Sequence, residues 1–230
     1  MSTTQVADNN VRIASQLDPR RWTALAFIAI AQLMIALDAT IVSIALPSAQ
    51  SALGASDADR QWVVTAYALA FGGLLLLGGK VADYAGRKRT LLIGLAGFAV
   101  ASAIGGAAPN FATLVAARAL QGAFAALLAP TALSLLAVSF TQPRERATAF
   151  AVYGSIAGSG AAIGLLLGGA LTQYLTWRWC LYVNIPIAVM AAIGGWLVLP
   201  AGSRRAKAAL DLPGVVLAAG GMVALVRTAV

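Results

Sequence analysis

The sequence predicts an all-α polytopic membrane protein. Of its 230 residues, 60% are hydrophobic and only 10% are charged, and the mean hydropathy is +0.83. Soluble domains carry charge on about a quarter of their residues. Several apolar stretches also approach the about 20 residues that a helix needs to cross a bilayer. These stretches are continuously apolar and do not alternate with polar residues, which excludes a soluble protein, a disordered chain and a transmembrane β-barrel.

Seven apolar runs are candidate membrane spans. We predict spans at 22–46, 62–79, 90–108, 113–138, 147–171, 180–199 and 214–230. The corresponding organisation is a cytoplasmic N-terminal segment at 1–21, a six-helix transmembrane bundle at 22–200, a cytoplasmic loop at 201–213 and a seventh helix at 214–230. The last run reaches Val230 without a polar tail, so we expect the seventh helix to be truncated and the chain to be part of a longer protein.

The connections between the spans are expected to be short, apart from a polar connector at 47–61. Six helices in two sets of three with opposite orientation suit the inverted repeats of many secondary transporters. No convincing internal repeat is visible in the sequence, so this expectation rests on architecture alone.

The formal charge of +8 reflects membrane topology. Twelve of the sixteen basic residues fall in alternate loops, all on one side of the predicted bundle. They are Arg12, Arg20, Arg21, Lys80, Arg87, Lys88, Arg89, Arg144, Arg146, Arg204, Arg205 and Lys207. The positive-inside rule therefore places the N-terminus in the cytoplasm, in a multi-pass inner-membrane protein. Topology accounts for the basic charge, and no nucleic acid is expected as a partner.

The residue types used in metal and redox chemistry are scarce. The chain has no histidine and a single cysteine, Cys180, which cannot form an intramolecular disulfide. No span carries paired carboxylates or an acidic metal-binding cluster. We therefore expect no enzymatic activity, no metal and no organic cofactor.

Asp38 lies deep in the first apolar run. A carboxylate inside a span is costly, so it should face the bundle interior or water, where it could exchange a proton. The alternative is a static aspartate that accepts hydrogen bonds from Thr40 or from another helix. The sequence gives these two interpretations equal weight.

Arg118 is the one strongly basic residue in the middle spans, and Gln121 follows one turn later on the same face. A buried guanidinium needs acceptors, and Asp38, helix carbonyls or an anionic ligand could supply them. Alternatively, Arg118 extends to the outer interface, because its span starts only a few residues earlier.

The loop at 79–89 joins the second and third spans with two glycines and an acid near four basic residues. Gly86 permits a positive φ, so a tight turn could hold Asp83 near Arg87 and the helix ends. Topology explains the basic residues but not the spacing of Gly79, Asp83 and Gly86.

Rows of small residues mark the fifth span, where they would let another helix approach closely. The glycines are Gly154, Gly158, Gly160, Gly164, Gly168 and Gly169. Near the sixth span, Trp177, Trp179 and Tyr182, with Arg178 between them, are typical of an aromatic belt at the outer membrane interface.

Four motifs in order resemble those of the major facilitator superfamily, and specifically its drug:proton antiporter branch with fourteen membrane helices. Residues 37–47 resemble the first-helix signature of this branch, and 79–89 the cytoplasmic loop motif. Residues 118–122 resemble the fourth-helix motif, and 177–186 the entry to the sixth helix. The resemblance spans roughly 22–214, and it implies the six-helix N-terminal bundle of that fold.

The resemblance also implies residue roles. Asp38 and Arg118 would take part in proton coupling, and Gly79, Asp83, Gly86 and Arg87 would latch the cytoplasmic gate. A substrate cavity would include Gln32, Gln121 and Asn184. In the fifth span, Ala161 and Leu165 stand where the family usually has prolines, which leaves open the helix bending ascribed to that motif.

We accordingly expect the N-terminal half of a proton-coupled multidrug efflux antiporter. The proton would be the coupling ion, and the partners would be the lipid bilayer, a small lipophilic substrate, and a missing C-terminal half or a second copy. The alternatives are a half-size or truncated protein that does not transport alone, or a symporter or uniporter on the same scaffold. A membrane enzyme or assembly factor is disfavoured by the missing histidines.

Overall fold

The structure is a computed structural model that describes residues 20–199, and it is helical almost throughout. The helices are α1 at Arg21–Leu53, α2 at Asp57–Ala85, α3 at Arg87–Gly106, α4 at Phe111–Ser139, α5 at Pro143–Tyr174, α6 at Trp179–Tyr182 and α7 at Asn184–Val198. With α6 and α7 forming one span, six segments are long and apolar enough to cross a membrane. Residues 1–19 of the predicted segment at 1–21, the loop at 201–213 and the seventh helix at 214–230 lie outside the described residues.

The first six spans are confirmed, but the predicted polar connector at 47–61 is wrong. Helix α1 continues through Pro47 to Leu53, and Gly54 ends it in the left-handed region with φ of +64°. Two residues later Ser56 starts α2 with a capping box, in which its hydroxyl accepts from the Asp59 amide and the Asp59 carboxylate accepts from the Ser56 amide. The polar residues that suggested a loop therefore form the helix ends.

The sixth span is interrupted at Val183, between α6 and α7. Pro186 has no amide hydrogen and cannot donate to the carbonyl of Tyr182, four residues earlier. The lost hydrogen bond coincides with the break, which places Asn184 at the first turn of α7.

Helix packing follows an approximate two-fold pattern. Helix α1 lies along α5, α2 lies along α4, and α3 packs on both α4 and α7, while α1 also packs on α7. If α1, α2 and α3 correspond to α4, α5 and α7 in turn, the α1–α5 contact corresponds to the α4–α2 contact. The α3–α4 contact corresponds in the same way to the α7–α1 contact. This is the pattern expected of two related three-helix repeats.

Two cations cap helix ends reciprocally between these repeats. Lys88 at the start of α3 donates through Nζ to the carbonyls of Trp196 and Leu199 at the end of α7, at 2.6 and 2.5 Å. Arg178 just before α6 donates through Nη1 to the carbonyls of Gly106 and Ala108 at the end of α3, both at 2.8 Å. Each cation satisfies carbonyls that a helix C-terminus leaves unpaired.

The aromatic-belt interpretation is correspondingly wrong for Trp177. Its side chain is buried in an apolar cluster, and the Arg178 guanidinium lies 4.5 Å from the centre of its ring. Trp179 is exposed, as an interface anchor would be.

The core consists of two apolar clusters with a polar layer between them. One cluster packs the bundle end at which α1 begins, which we call the basic end, and includes Ile28, Leu95 and Leu136. The other packs the opposite end and includes Ile41 and Trp177. Buried polar side chains of α1, α3, α4 and α7 lie between the two clusters.

Only half of the predicted glycine row packs against a helix. A Cβ at Gly164 would meet Thr40 Oγ1 and stand 2.9 Å from the Leu37 carbonyl oxygen. At Gly160 and Gly168 the nearest atoms of α1 would be 2.8 and 3.0 Å away. By contrast, Gly154, Gly158 and Gly169 have nothing within 4 Å of such an atom in the described structure. These three glycines lie on a face of α5 that does not meet α1, so close helix packing at their positions stays a prediction.

Replacing Lys88 by Met should lower the stability of the bundle, because two carbonyls at the end of α7 lose their cationic donor. We expect a loss of about 1–2 kcal/mol, measured by reversible unfolding in mixed micelles. Arg89→Met is the matched control, since Arg89 is the exposed neighbouring cation. An equal loss in both variants would argue against the capping role.

Gly164→Ala should destabilise the bundle by about 1–3 kcal/mol, since the new methyl group forces α1 and α5 apart. Gly154→Ala, on the open face of the same helix, should be neutral or stabilise by about 1 kcal/mol through helix propensity. The same unfolding measurement decides, and equal effects at the two positions would contradict the assigned α1–α5 interface.

Candidate functional site

A buried carboxylate with three donors forms the centre of the polar layer. Asp38 lies in the middle of α1 and is 0% exposed. Its Oδ2 accepts from Arg118 Nη1 at 2.6 Å, and its Oδ1 accepts from Asn184 Nδ2 at 2.7 Å and from Gln121 Nε2 at 3.2 Å. Three spans therefore converge on one side chain, and Thr40 is not among the donors because its hydroxyl donates to carbonyls of α1.

The Arg118 guanidinium is enclosed by acceptors. Besides Asp38, it donates through Nη1 to Gln121 Oε1 at 2.9 Å and through Nε to the Val63 carbonyl at 3.4 Å. The ring of Tyr67 lies 4.3 Å from its central carbon, which adds a cation–π contact. Arg118 is 2% exposed, so the expectation that it extends to the interface is wrong and the buried, paired interpretation is confirmed.

Gln121 is held in a single orientation by its neighbours. Its Oε1 accepts from Arg118, and its Nε2 donates both to Asp38 and to Ser102 Oγ at 2.8 Å. Turning the amide over would set its NH2 group against the guanidinium, so that two donors would face each other. Ser102 was not identified from the sequence, because a serine in an apolar helix gives no distinguishing pattern.

Asn184 is satisfied on one side only. Its Nδ2 donates to Asp38, whereas its Oδ1 is buried and has no hydrogen-bond partner in the part of the chain that the structure describes. A buried acceptor without a donor costs about 1–3 kcal/mol, so this unsatisfied oxygen lowers the stability of the polar layer.

The three residues expected to line a substrate cavity are not grouped in one. Gln121 and Asn184 are enclosed in the polar layer with no exposed surface. Gln32 lies nearer the basic end, where its Oε1 accepts from the Tyr153 hydroxyl of α5 at 2.5 Å. The sequence identified polar side chains in the spans but could not distinguish side chains within the bundle from those on its surface.

A sizeable cavity lies instead in a groove between α1 and α5 at the basic end. Its volume is about 580 Å³, and its walls are apolar side chains from Trp22 to Leu33 and from Val152 to Ile163, with Ser159 contributing a hydroxyl. Leu33 precedes Asp38 by five residues, or about 7.5 Å along the helix axis. The groove therefore approaches the polar layer from the basic end.

The loop motif forms the tight turn that was predicted. Gly86 joins α2 to α3 with φ of +91°, a conformation that favours glycine. Asp83 and Arg87 are 3.9 Å apart, and the Asp83 side chain is 64% exposed, so the pair is weak in this structure. Gly79 lies beside α4, and a Cβ added to it would be 3.8 Å from the Cβ of Pro130.

Another ion pair at the basic end was missed by the sequence analysis. Arg21 Nη2 and Glu145 Oε1 are 2.8 Å apart and join the first turns of α1 and α5. Arg21 was interpreted only as a topogenic basic residue and Glu145 was not singled out, because nothing in their spacing indicates that they meet across the bundle. Within the described range, no three His, Cys, Asp or Glu side chains are grouped as metal ligands would be.

Comparison with known proteins matches residues 28–228 to the Major Facilitator Superfamily. The puromycin resistance protein pur8 of Streptomyces alboniger is 60% identical over 91% of this chain and 42% of its own length. The cephamycin export protein CmcT of Amycolatopsis lactamdurans is 44% identical over 88% of this chain and 42% of its own length. The lincomycin resistance protein of Streptomyces lincolnensis is 40% identical over 93% of this chain and 43% of its own length. The chain thus spans about two fifths of the length of these relatives.

Solved structures share the fold. A peptide transporter POT in complex with sulfate superimposes with a TM-score of 0.71 at 15% identity, covering 90% of this chain and 45% of the transporter. A bacterial homologue of the human drug peptide transporters PepT1 and PepT2 gives a TM-score of 0.69 at 20% identity, covering 89% of this chain and 48% of the homologue. These similarities support a six-helix bundle that corresponds to about half of a larger transporter fold.

Arg118→Met should cost about 3–5 kcal/mol of stability, because it leaves the Asp38 carboxylate buried without its cation. Adding Asp38→Asn to that variant should restore part of the loss, since the unpaired charge is then removed. Unfolding of both variants and of Asp38→Asn alone in mixed micelles measures the coupling. Strictly additive losses would show that the two side chains do not act as a pair.

Proposed function

The chain belongs to the major facilitator superfamily, and we propose that it forms the N-terminal half of a proton-coupled antiporter that exports lipophilic antibiotics. It is a multi-pass membrane transport protein and not an enzyme. The observation that carries the proton-coupling proposal is the buried Asp38–Arg118 pair at the middle of the bundle. An ionisable pair at membrane depth is expensive, and its usual use is in ion or proton pathways.

Proton uptake by Asp38 would change the forces between three spans. The charged carboxylate attracts Arg118 on α4 and accepts from Asn184 on α7. Once Asp38 is neutral, Arg118 still has Gln121 Oε1, the Val63 carbonyl and the Tyr67 ring as partners. The guanidinium can therefore stay in place while its hold on α1 weakens, and this shifts the balance between conformations that differ in the position of α1.

Resistance and export functions of the relatives support the substrate class. Pur8 is named for puromycin resistance, CmcT for cephamycin export, and a third relative for lincomycin resistance. The groove between α1 and α5 offers an apolar surface next to the polar layer. A lipophilic compound bound there would enter from the basic end, which we place in the cytoplasm of an inner-membrane protein on the distribution of basic residues.

A second half would complete the cavity. Only 17% of the residues in the most apolar stretch of α2, and the same share in α5, are buried in the described bundle. The chain covers 42% of pur8, so a C-terminal half or a second copy is the partner that would cover these faces. The turn at Gly86 with Asp83 and Arg87 would then latch the gate against that partner.

Asp38→Asn should abolish antibiotic efflux driven by a proton gradient, because the side chain can no longer exchange a proton. The measurement is uptake of labelled puromycin into energised everted vesicles that contain the chain, alone or with its complementary half. Asp57→Asn is the matched control, since Asp57 is exposed at the start of α2.

Four other outcomes each have a defined meaning. Equal uptake by Asp38→Asn would refute proton coupling through Asp38. Uptake without a gradient would indicate a uniporter, and extrusion from everted vesicles that follows the proton gradient would indicate a symporter. Uptake only with the complementary half would show that this bundle does not transport alone, as its uncovered apolar faces suggest.

A further inference from the structure

The buried amide of Asn184 is only half satisfied in its hydrogen bonding. Its Nδ2 donates to Asp38 Oδ1 at 2.7 Å, while its Oδ1, also buried, has no partner among residues 20–199. The orientation is dictated by charge, because an ionised carboxylate accepts hydrogen bonds only and must face the NH2 side of an amide. The oxygen is thereby left without a donor.

Protonation of Asp38 would reverse this requirement. In the carboxylic acid one oxygen carries a hydrogen and needs an acceptor, whereas every group now facing Asp38 is a donor. A proton on Oδ2 would point at Arg118, which is a cation. A proton on Oδ1 would point at the NH2 groups of Gln121 and Asn184.

Of these two amides, only that of Asn184 is free to turn over. Gln121 Oε1 is engaged by Arg118, and reversing Gln121 would place two donors together. Asn184 Oδ1 is engaged by no described residue. A rotation of about 180° about the terminal torsion, whose two orientations are sterically similar, would bring this oxygen to Asp38 Oδ1.

We propose that Asn184 is an amide switch, a positioning residue that donates to ionised Asp38 and turns over to accept the Oδ1 hydrogen of protonated Asp38. The inference rests on the proposed proton coupling. No proton is transferred to Asn184, and the hydrogen stays on Asp38. Arg118 and Tyr67 are the other charged or titratable groups beside the carboxyl among the described residues. Arg118 is a cation and cannot accept the hydrogen, and the contact of Tyr67 in this layer is that of its ring with Arg118.

The consequence is that each protonation state of Asp38 is hydrogen-bonded by a different atom of Asn184, Nδ2 for the carboxylate and Oδ1 for the acid. Asn184 begins α7 directly after the break at Val183, so the amide links the state of α1 to the sixth span. A static asparagine would favour the carboxylate alone, whereas the switch serves both forms.

The test uses residue-selective labelling of the unmodified chain in lipid vesicles. The sequence contains only four asparagines, Asn9, Asn10, Asn110 and Asn184, so side-chain signals from ¹³C- and ¹⁵N-labelled asparagine are few. Asn184→Leu identifies the signal by its loss. If that variant does not fold, replacing the other three asparagines by Ser leaves the Asn184 signal alone. Infrared spectroscopy of the same samples follows the carboxylic acid band of Asp38, identified by its absence in Asp38→Ser.

We expect the Asn184 side-chain carbon and nitrogen signals to shift with pH at the same midpoint as the Asp38 acid band, and to stop titrating in Asp38→Ser. Thr131→Val is the control for loss of a buried polar group, because Thr131 donates only to the Leu127 carbonyl of its own helix, and it should keep the titration. An acid band that grows while the Asn184 signals stay constant would overturn the switch and leave proton coupling intact. Absence of the acid band at every pH at which the chain stays folded would overturn both.

Discussion

The fold depends on the contact between one carboxylate and one guanidinium in the middle of an apolar bundle. Asp38 and Arg118 are 2.6 Å apart and almost completely buried. Neither charge would be tolerated there alone, because the penalty for desolvating an ion exceeds what apolar packing nearby can offset. The remaining polar side chains of the layer follow from this pair: Gln121 bridges the two charges, Ser102 fixes Gln121, and Asn184 completes the coordination of the carboxylate. Because these residues come from α1, α3, α4 and α7, the pair also fixes the mutual register of four helices.

The separation of the core into two apolar clusters adds to this constraint. The basic-end cluster and the opposite cluster each resemble an ordinary helical core, and helix α1 passes through both. Close backbone contacts also join neighbouring helices, as at Gly78 of α2, where an added Cβ would meet the Ala126 carbonyl oxygen of α4. A polar layer between rigid apolar regions is a place where a change of one proton alters hydrogen bonding without disrupting packing.

The sequence was sufficient for the spans, the loop turn and the presence of two ionisable side chains, Asp38 and Arg118, within the spans, because hydropathy, glycine and intramembrane charge are strong local signals. It failed at 47–61, where polar residues form the helix ends, and it could not indicate which glycines of α5 meet α1, because spacing does not show which face of a helix lies against a neighbour. It also missed Ser102 and the Arg21–Glu145 pair. Contacts between residues 19 or 124 positions apart have no periodicity to reveal them, and only tertiary structure brings such residues together.

The reciprocal caps bear on the order of biosynthesis. The carbonyls of Gly106 and Ala108 at the end of α3 are satisfied by Arg178, which is synthesised about seventy residues later. Lys88, in turn, finds its acceptors on the last turn of α7. A nascent chain containing only the first three spans therefore holds an uncapped helix end and a cation without its acceptors, and neither is satisfied until the second three spans have been inserted beside it. The two caps can therefore form only after both repeats have been inserted.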